Sequence, residues 1–326
     1  MVLLIHTTTR SLEASGFNIT GFSWTLFLNQ ISRFAVPLFF ILSGFVLELS
    51  YRKGMSFWSF VKKRVSRIFI PFLFWSVFYY LFVYAQNNDN FFKVVLTGNA
   101  SYQLYFIPTL CIFYLMFPLL HRLYKFISNR LALAIILGSQ IYLLNFDYNL
   151  AKFEYPEPVR IAILSYFFFL IGMVAARNVD RVNAWVVKWK TFLPVVTFLS
   201  GLYVFWEGRV KYVETGNYLS YYSQWRPSIL IYTLLAGLTL YYFFEFTDLK
   251  HSIIAKFSKH SFFVFFVHVA VLEAIWLVIA KNLFGLTLGP AGKFFFDPVF
   301  FGMVSFVSFL ISFMLHKIPK SEKVLG

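Results

Sequence analysis

Charge is what this chain has least of. Only 13% of its 326 residues are Asp, Glu, Lys or Arg, against roughly 25% in a typical globular domain, and that scarcity argues against a water-soluble fold. Cysteine is nearly absent too. Cys111 stands alone inside an apolar run, which excludes an intrachain disulfide and favours a structural thiol in a helix. No Gly-x-Gly-x-x-Gly, Walker loop, His-Glu-x-x-His or Cys-x-x-Cys occurs, so nucleotide hydrolysis, zinc proteolysis and disulfide redox chemistry find no motif, and no metal is expected. The chain also lacks a visible cleavable signal peptide, a low-complexity tail, a defensible internal repeat and any break in composition. Residues 1–326 therefore read as a single integral membrane domain.

What remains is apolar. Runs of the length a bilayer requires, about 20 residues, lie near 34–50, 68–85, 103–120, 131–146, 160–176, 191–207, 227–247, 261–280 and 297–316. With the short apolar start Met1-Val-Leu-Leu-Ile-His6, they predict an all-α, polytopic membrane bundle of about ten transmembrane helices, the first incomplete at the N-terminus. Turn formers mark the connections at Gln86–Asn90, Tyr155–Pro158, Gly208–Gly216 and Gly285–Gly292.

The net charge of +15 follows the same layout. One set of loops holds 19 lysines and arginines, including Arg52, Lys62, Lys63, Arg64, Arg67, Arg177, Arg181 and Lys317, while the alternate set holds 9. This positive-inside pattern accounts for the basic balance without nucleic acid. It places the 51–67 loop and the C-terminus in the cytoplasm and the 7–32 and 208–226 loops outside, as in a multi-pass protein of the cell membrane. Trp24, Trp58, Trp75, Trp185, Trp189 and Trp225 fall near span ends, where amphipathic rings favour the interface.

Ionisable residues inside spans are costly and therefore candidates for function. Arg33, Glu48 and Glu245 lie near predicted span ends, where snorkelling relieves the cost; His6, His268 and Glu273 do not. A histidine at the position of His6 can take a proton from a hydroxyl near neutral pH, or simply bond a neighbouring hydroxyl at the interface. His268 and Glu273, five residues apart, lie about 140° apart on a straight helix and form no natural local pair. His268 suits an interhelical hydrogen bond. Arg64 and Arg67 share one helix face and can grip phosphates by forked hydrogen bonds, or fix topology by binding anionic lipid headgroups. Arg33, towards the outer end of its span, is a substrate-binding candidate for an anionic acceptor.

Several segments, in order along most of the chain, resemble the acyltransferase 3 family of integral membrane O-acyltransferases of envelope polysaccharides. They are Leu4-Ile-His6, Val36-Pro-Leu-Phe-Phe-Ile-Leu-Ser43-Gly44-Phe45, Lys63-Arg64-Val-Ser-Arg67-Ile-Phe-Ile-Pro71, Leu104-Tyr-Phe-Ile-Pro108-Thr-Leu110 and Ser261–His268. The resemblance implies a ten-helix enzyme moving an acyl group, often acetyl, from cytoplasmic acyl-CoA (acetyl-CoA in the usual case). The acceptor it implies is a hydroxyl of a cell-surface polysaccharide or lipid-linked saccharide. His6 matches the family's catalytic histidine, and Arg64 and Arg67 match its Arg-x-x-Arg element, which handles the donor. The family's arginine eleven residues before that histidine would precede Met1. No serine nucleophile stands out, which favours direct transfer over an acyl-enzyme. The rival readings are a flippase or exporter of a polysaccharide or lipid-linked sugar, though no inverted repeat supports it, and an accessory subunit without activity.

Overall fold

A computed structural model describes residues 1–16, 23–51, 56–84, 90–150, 154–216, 223–247, 257–285, 290–318 and 324–325. Among them every regular element is helical. The helices are α1 (Val2–Ala14), α2 (Trp24–Ile31), α3 (Ala35–Ser50), α4 (Phe57–Phe78), α5 (Phe91–Thr97), α6 (Phe106–Arg122), α7 (Tyr124–Ile127) and α8 (Arg130–Asn145). After them come α9 (Glu157–Arg177), α10 (Val179–Lys188), α11 (Phe192–Thr215), α12 (Pro227–Phe246), α13 (Ser261–Ile275), α14 (Lys281–Gly285) and α15 (Pro290–Leu315).

Seven stretches are long and apolar enough to cross a bilayer: Trp24–Ser50, Phe57–Val83, Arg130–Asn149, Glu157–Arg177, Pro227–Phe246, Ser258–Leu283 and Phe294–Leu315. The pair α10 and α11, bent by 86°, makes an eighth if counted as one span. The other two predicted spans correspond to α1, with 13 residues, and α6, with 17, both short of the roughly 20 that a full crossing takes. The expected all-helical membrane bundle stands, and its count of ten is met only approximately.

Three expected connections are helical instead. The 7–32 segment holds the rest of α1 and all of α2. The Thr7-Thr8-Thr9 run stays helical because hydroxyls bond carbonyls one turn back, Thr7 and Thr8 to Leu4 and Ser11 to Thr7. Ser23 then caps α2 by accepting from the Leu26 amide at 3.3 Å. In the 51–67 segment, helix begins at Phe57, so Lys62, Lys63, Arg64 and Arg67 lie on α4; charge ends an apolar run without ending a helix, and Lys and Arg are good helix formers. Likewise α11 runs through Gly208 to Thr215 and stops at Gly216, whose φ of 63° is the left-handed cap glycine supplies cheaply. Of the Gln86–Asn90 connection, residues up to 89 lie outside the described residues, and Asn90 caps α5 by accepting from the Lys93 amide.

Two apolar cores hold the bundle. Ile68, Phe72, Trp75 and Tyr79 pack with Leu104, Ile107, Phe263, Phe266 and Leu272. Phe40, Leu47, Phe60, Phe113, Phe117, Phe168 and Phe169 form the second. The closest crossing joins α3 to α9. There a Cβ on Gly44 would overlap the Phe169 carbonyl oxygen and one on Gly172 that of Ile41, so two glycines let the backbones touch, the usual membrane device for helix association.

Candidate active site

Where α1, the first turns of α3, the 101–106 segment and α13 converge, they leave a cavity of about 430 Å³. Its walls include His6, Arg10, Glu13, Arg33, Tyr102, Tyr105 and Glu273. On α1, residues 6, 9, 10 and 13 fall on one helical face, which is why a single short helix supplies so much of the polar wall.

The His6 ring lies between two others, 4.7 Å from Tyr102 and 5.2 Å from His268, centroid to centroid. Among the described residues its nitrogens have no hydrogen-bond partner. Among those residues His6 is therefore not bonded to a neighbouring hydroxyl; tilted ring contacts hold it, with its lone pair and N–H left for a ligand. Tyr102 is 44% exposed and opens into the same space. The Tyr105 hydroxyl, also on the cavity wall, accepts from Gln224 at 3.0 Å.

His268 is fully buried and its Nδ1 bonds the Val264 carbonyl of its own helix at 2.9 Å, while Nε2 has no partner among the described residues. Among them the expected interhelical hydrogen bond is not made; the His268 ring meets another helix through the His6 ring. The Tyr79 hydroxyl donates to the Phe266 carbonyl at 2.7 Å and accepts from the Ala270 amide at 3.0 Å. Those two backbone groups would ordinarily bond each other along the helix, so Tyr79 brackets the turn that carries His268. Glu273 pairs across to Arg10 at 3.3 Å and not with His268, as their angular separation on α13 requires. Arg10 also meets Glu13 at 3.3 Å and lies 5.3 Å from the Trp276 ring centre.

Arg33 is not at a span end. It sits at the joint between α2 and α3, only 5% exposed, and hydrogen bonding relieves its cost where snorkelling was expected. Its Nε and Nη2 donate to the Asn29 side-chain oxygen at 3.0 and 2.6 Å. Through its nitrogen, Asn29 donates to the Ile5 carbonyl and to the Thr8 and Thr9 hydroxyls at 3.0–3.2 Å. One amide thus ties the His6 helix to Arg33. Glu48 is likewise buried and paired, with Arg177 and with His121, while Glu245 is exposed as expected.

Arg64 and Arg67 do not line this cavity. Arg67 is exposed, and Arg64 is half-buried with its guanidinium 5.5 Å from the Phe60 ring centre. The Phe60 ring in turn lies 5.7 Å from the Phe117 ring of α6. Phe106, eleven residues earlier on the same helix, lines the cavity, and eleven residues of helix rise about 16 Å. The arginine pair and the imidazole thus sit towards different ends of α6. Among the described residues no group of three or more His, Cys, Asp or Glu is placed to hold a metal ion.

Asn29, Tyr102 and Arg10 were not singled out from the sequence. Asn29 is uncharged, Tyr102 is one of 20 tyrosines, and Arg10 fell in a segment read as a loop.

Apolar helices enclosing a chamber with several ionisable side chains and an unbonded imidazole define an integral membrane protein with a candidate catalytic site. The particular family follows from comparison: the chain belongs to the acyltransferase family Acyl_transf_3, whose model, described as an acyltransferase domain, matches residues 1–317. Searches among curated proteins and among solved structures find no match. The chain is a membrane acyltransferase.

Proposed function

We propose that the protein transfers an acyl group, acetyl in the simplest case, from acyl-CoA to a hydroxyl of a cell-surface polysaccharide or lipid-linked sugar. It is a multi-pass protein of the cell membrane with its C-terminus in the cytoplasm. The observation that carries this reading is the His6 ring, without a hydrogen-bond partner among the described residues, in a cavity that also holds Arg10, Arg33 and Glu273. The separation of that ring from the Arg64/Arg67 face agrees with a donor held from the basic side.

Arg64 and Arg67, three apart on α4, engage the donor's phosphates through charge and forked hydrogen bonds. Both guanidiniums are without an ion pair among the described residues, which leaves them available. His6 accepts the proton of the acceptor hydroxyl as its oxygen attacks the thioester carbonyl. The carbon–sulfur bond then breaks, and the proton passes from His6 to the leaving thiolate. Tyr102 and His268 hold the imidazole plane throughout, and Arg33 contacts the acceptor. The proton balance is closed, and no acyl-enzyme is required.

The test uses the full chain in nanodiscs with radiolabelled acetyl-CoA and cell-envelope glycan as acceptor. CoA release that depends on acceptor, and its loss by at least about 100-fold in His6→Ala, a general-base contribution, is the expected result. Unchanged transfer in His6→Ala at normal membrane levels removes His6 from the mechanism. Glycan movement without CoA release replaces the whole reading with a transporter.

A further inference from the structure

A second cavity, about 510 Å³, lies between α3, α9, α10 and α12. It shares no lining residue with the first, and the proposed reaction has no use for it. Its floor is apolar, with Leu42, Phe45, Ala175 and Gly237 among the residues that form it, and its polar lining residues, Asn178, Arg181 and Tyr241, come from the α9–α10 junction, α10 and the far part of α12. The volume lies within the roughly 300–1,000 Å³ range of ligand sites.

That polar rim is built. The Tyr241 hydroxyl donates to the Asn183 side-chain oxygen at 2.7 Å, tying α10 to α12. Asn178 bonds the Tyr124 hydroxyl and the Val174 carbonyl. Following α10, α11 turns away by 86°; if α11 crosses the bilayer, α10 lies along its surface, apolar on one side and charged on the other, as interfacial helices do. Trp185, 45% exposed, also lines the cavity from α10.

Arg181 supplies the charge. The neighbouring Arg177 is occupied by Glu48, His121 and the face of Tyr124. Arg181 is exposed, lines the cavity and has no ion pair among the described residues; Asp180 beside it does not line the cavity. An apolar slot that ends at headgroup depth on an unpaired guanidinium, in the half of the bundle with basic loops, fits one kind of occupant. We propose that this cavity binds an anionic glycerophospholipid, with an acyl chain between α3, α9 and α12 and the phosphate at Arg181.

The full chain in detergent is mixed with equal amounts of phosphatidylglycerol and phosphatidylcholine carrying identical acyl chains, and retained lipid is read by native mass spectrometry. The wild type is expected to keep phosphatidylglycerol over phosphatidylcholine by about fivefold, the worth of one basic residue at an anionic surface. Arg181→Gln removes that preference and still retains lipid of either kind. Ala175→Phe fills the slot and expels both. Free glycerol phosphate does not compete, because the tail carries the binding.

Equal retention of both lipids by the wild type overturns the proposal, as does an undiminished preference in Arg181→Gln or displacement by glycerol phosphate. Should Ala175→Phe fail to fold, the surface substitution at Arg181 decides alone. None of these readings depends on acyl transfer.

Discussion

At the scale of single residues, Asn29 and Tyr79 make sharper tests of the site than the residues they support. Asn29 uses its oxygen for Arg33 and its nitrogen for the backbone and hydroxyls of α1. Asn29→Leu keeps the volume and leaves several buried polar groups with one partner fewer, so a loss of roughly 1–3 kcal/mol in stability is expected. It should appear as a lower midpoint in thermal unfolding followed by size exclusion. An unchanged midpoint would mean that Arg33 and α1 find other partners. Tyr79→Phe should behave differently. It keeps the ring in the apolar core and removes only the hydroxyl between the Phe266 carbonyl and the Ala270 amide. Those backbone groups lie one helical turn apart and can satisfy each other, so stability changes little, while the turn carrying His268 loses its lateral support. Misplacement by an ångström near reacting groups costs about 100-fold. A fall in kcat per folded enzyme towards that size, with the thermal midpoint and donor KM unchanged, is the expected signature; a lowered midpoint with kcat per folded enzyme retained would show that Tyr79 serves folding alone. The Arg64→Ala, Arg67→Ala double variant should do the reverse, raising the KM for acetyl-CoA while kcat with saturating donor is nearly retained.

Among helices, the decisive feature is the contact between α3 and α9. Gly44 and Gly172 each face a carbonyl of the other helix closely enough that a methyl group would overlap it. Gly138 and Gly302 lie on helices as well, with nothing within 4 Å of an added Cβ. Gly44→Ala should therefore reduce the yield of monodisperse protein sharply. Gly138→Ala should leave it unchanged or raise it, since alanine gains up to about 1 kcal/mol over glycine inside a helix. If both variants express alike, the close crossing is not what holds the pair. This contrast also shows what could be read in advance. The Ser43-Gly44-Phe45 motif marked a close approach on one helix, because small residues signal packing in membranes. Its partner Gly172 was hidden in an apolar run whose residues face lipid and protein alike. Helix ends were poorly legible from hydropathy. Around Lys62–Arg67 it fell while helix propensity stayed high, and the helix continued; at Thr7–Thr9 and Gly208 both fell, and the surrounding helix carried those residues along.

For the whole molecule, the apolar runs carried the class, with which the long helices agree, and the alternation of 19 basic residues against 9 carries the proposed sidedness. The chamber itself was only half legible. His6 and Arg33 were visible as ionisable groups in apolar surroundings, whereas the ring that faces His6 from α13 and the amide that anchors Arg33 depend on how helices meet. Sidedness gives the last test. With Cys111→Ser as background, Lys317→Cys at the end of α15 and Glu13→Cys at the cavity wall place single thiols in regions the charge pattern assigns to opposite faces. A membrane-impermeant maleimide added to intact cells should label Glu13→Cys and leave Lys317→Cys untouched until the membrane is opened. Labelling of Lys317→Cys in intact cells would invert the orientation, and with it the side from which Arg64 and Arg67 meet a donor. If both thiols react from the same side, the division between a donor face and an acceptor face fails, whatever His6 does.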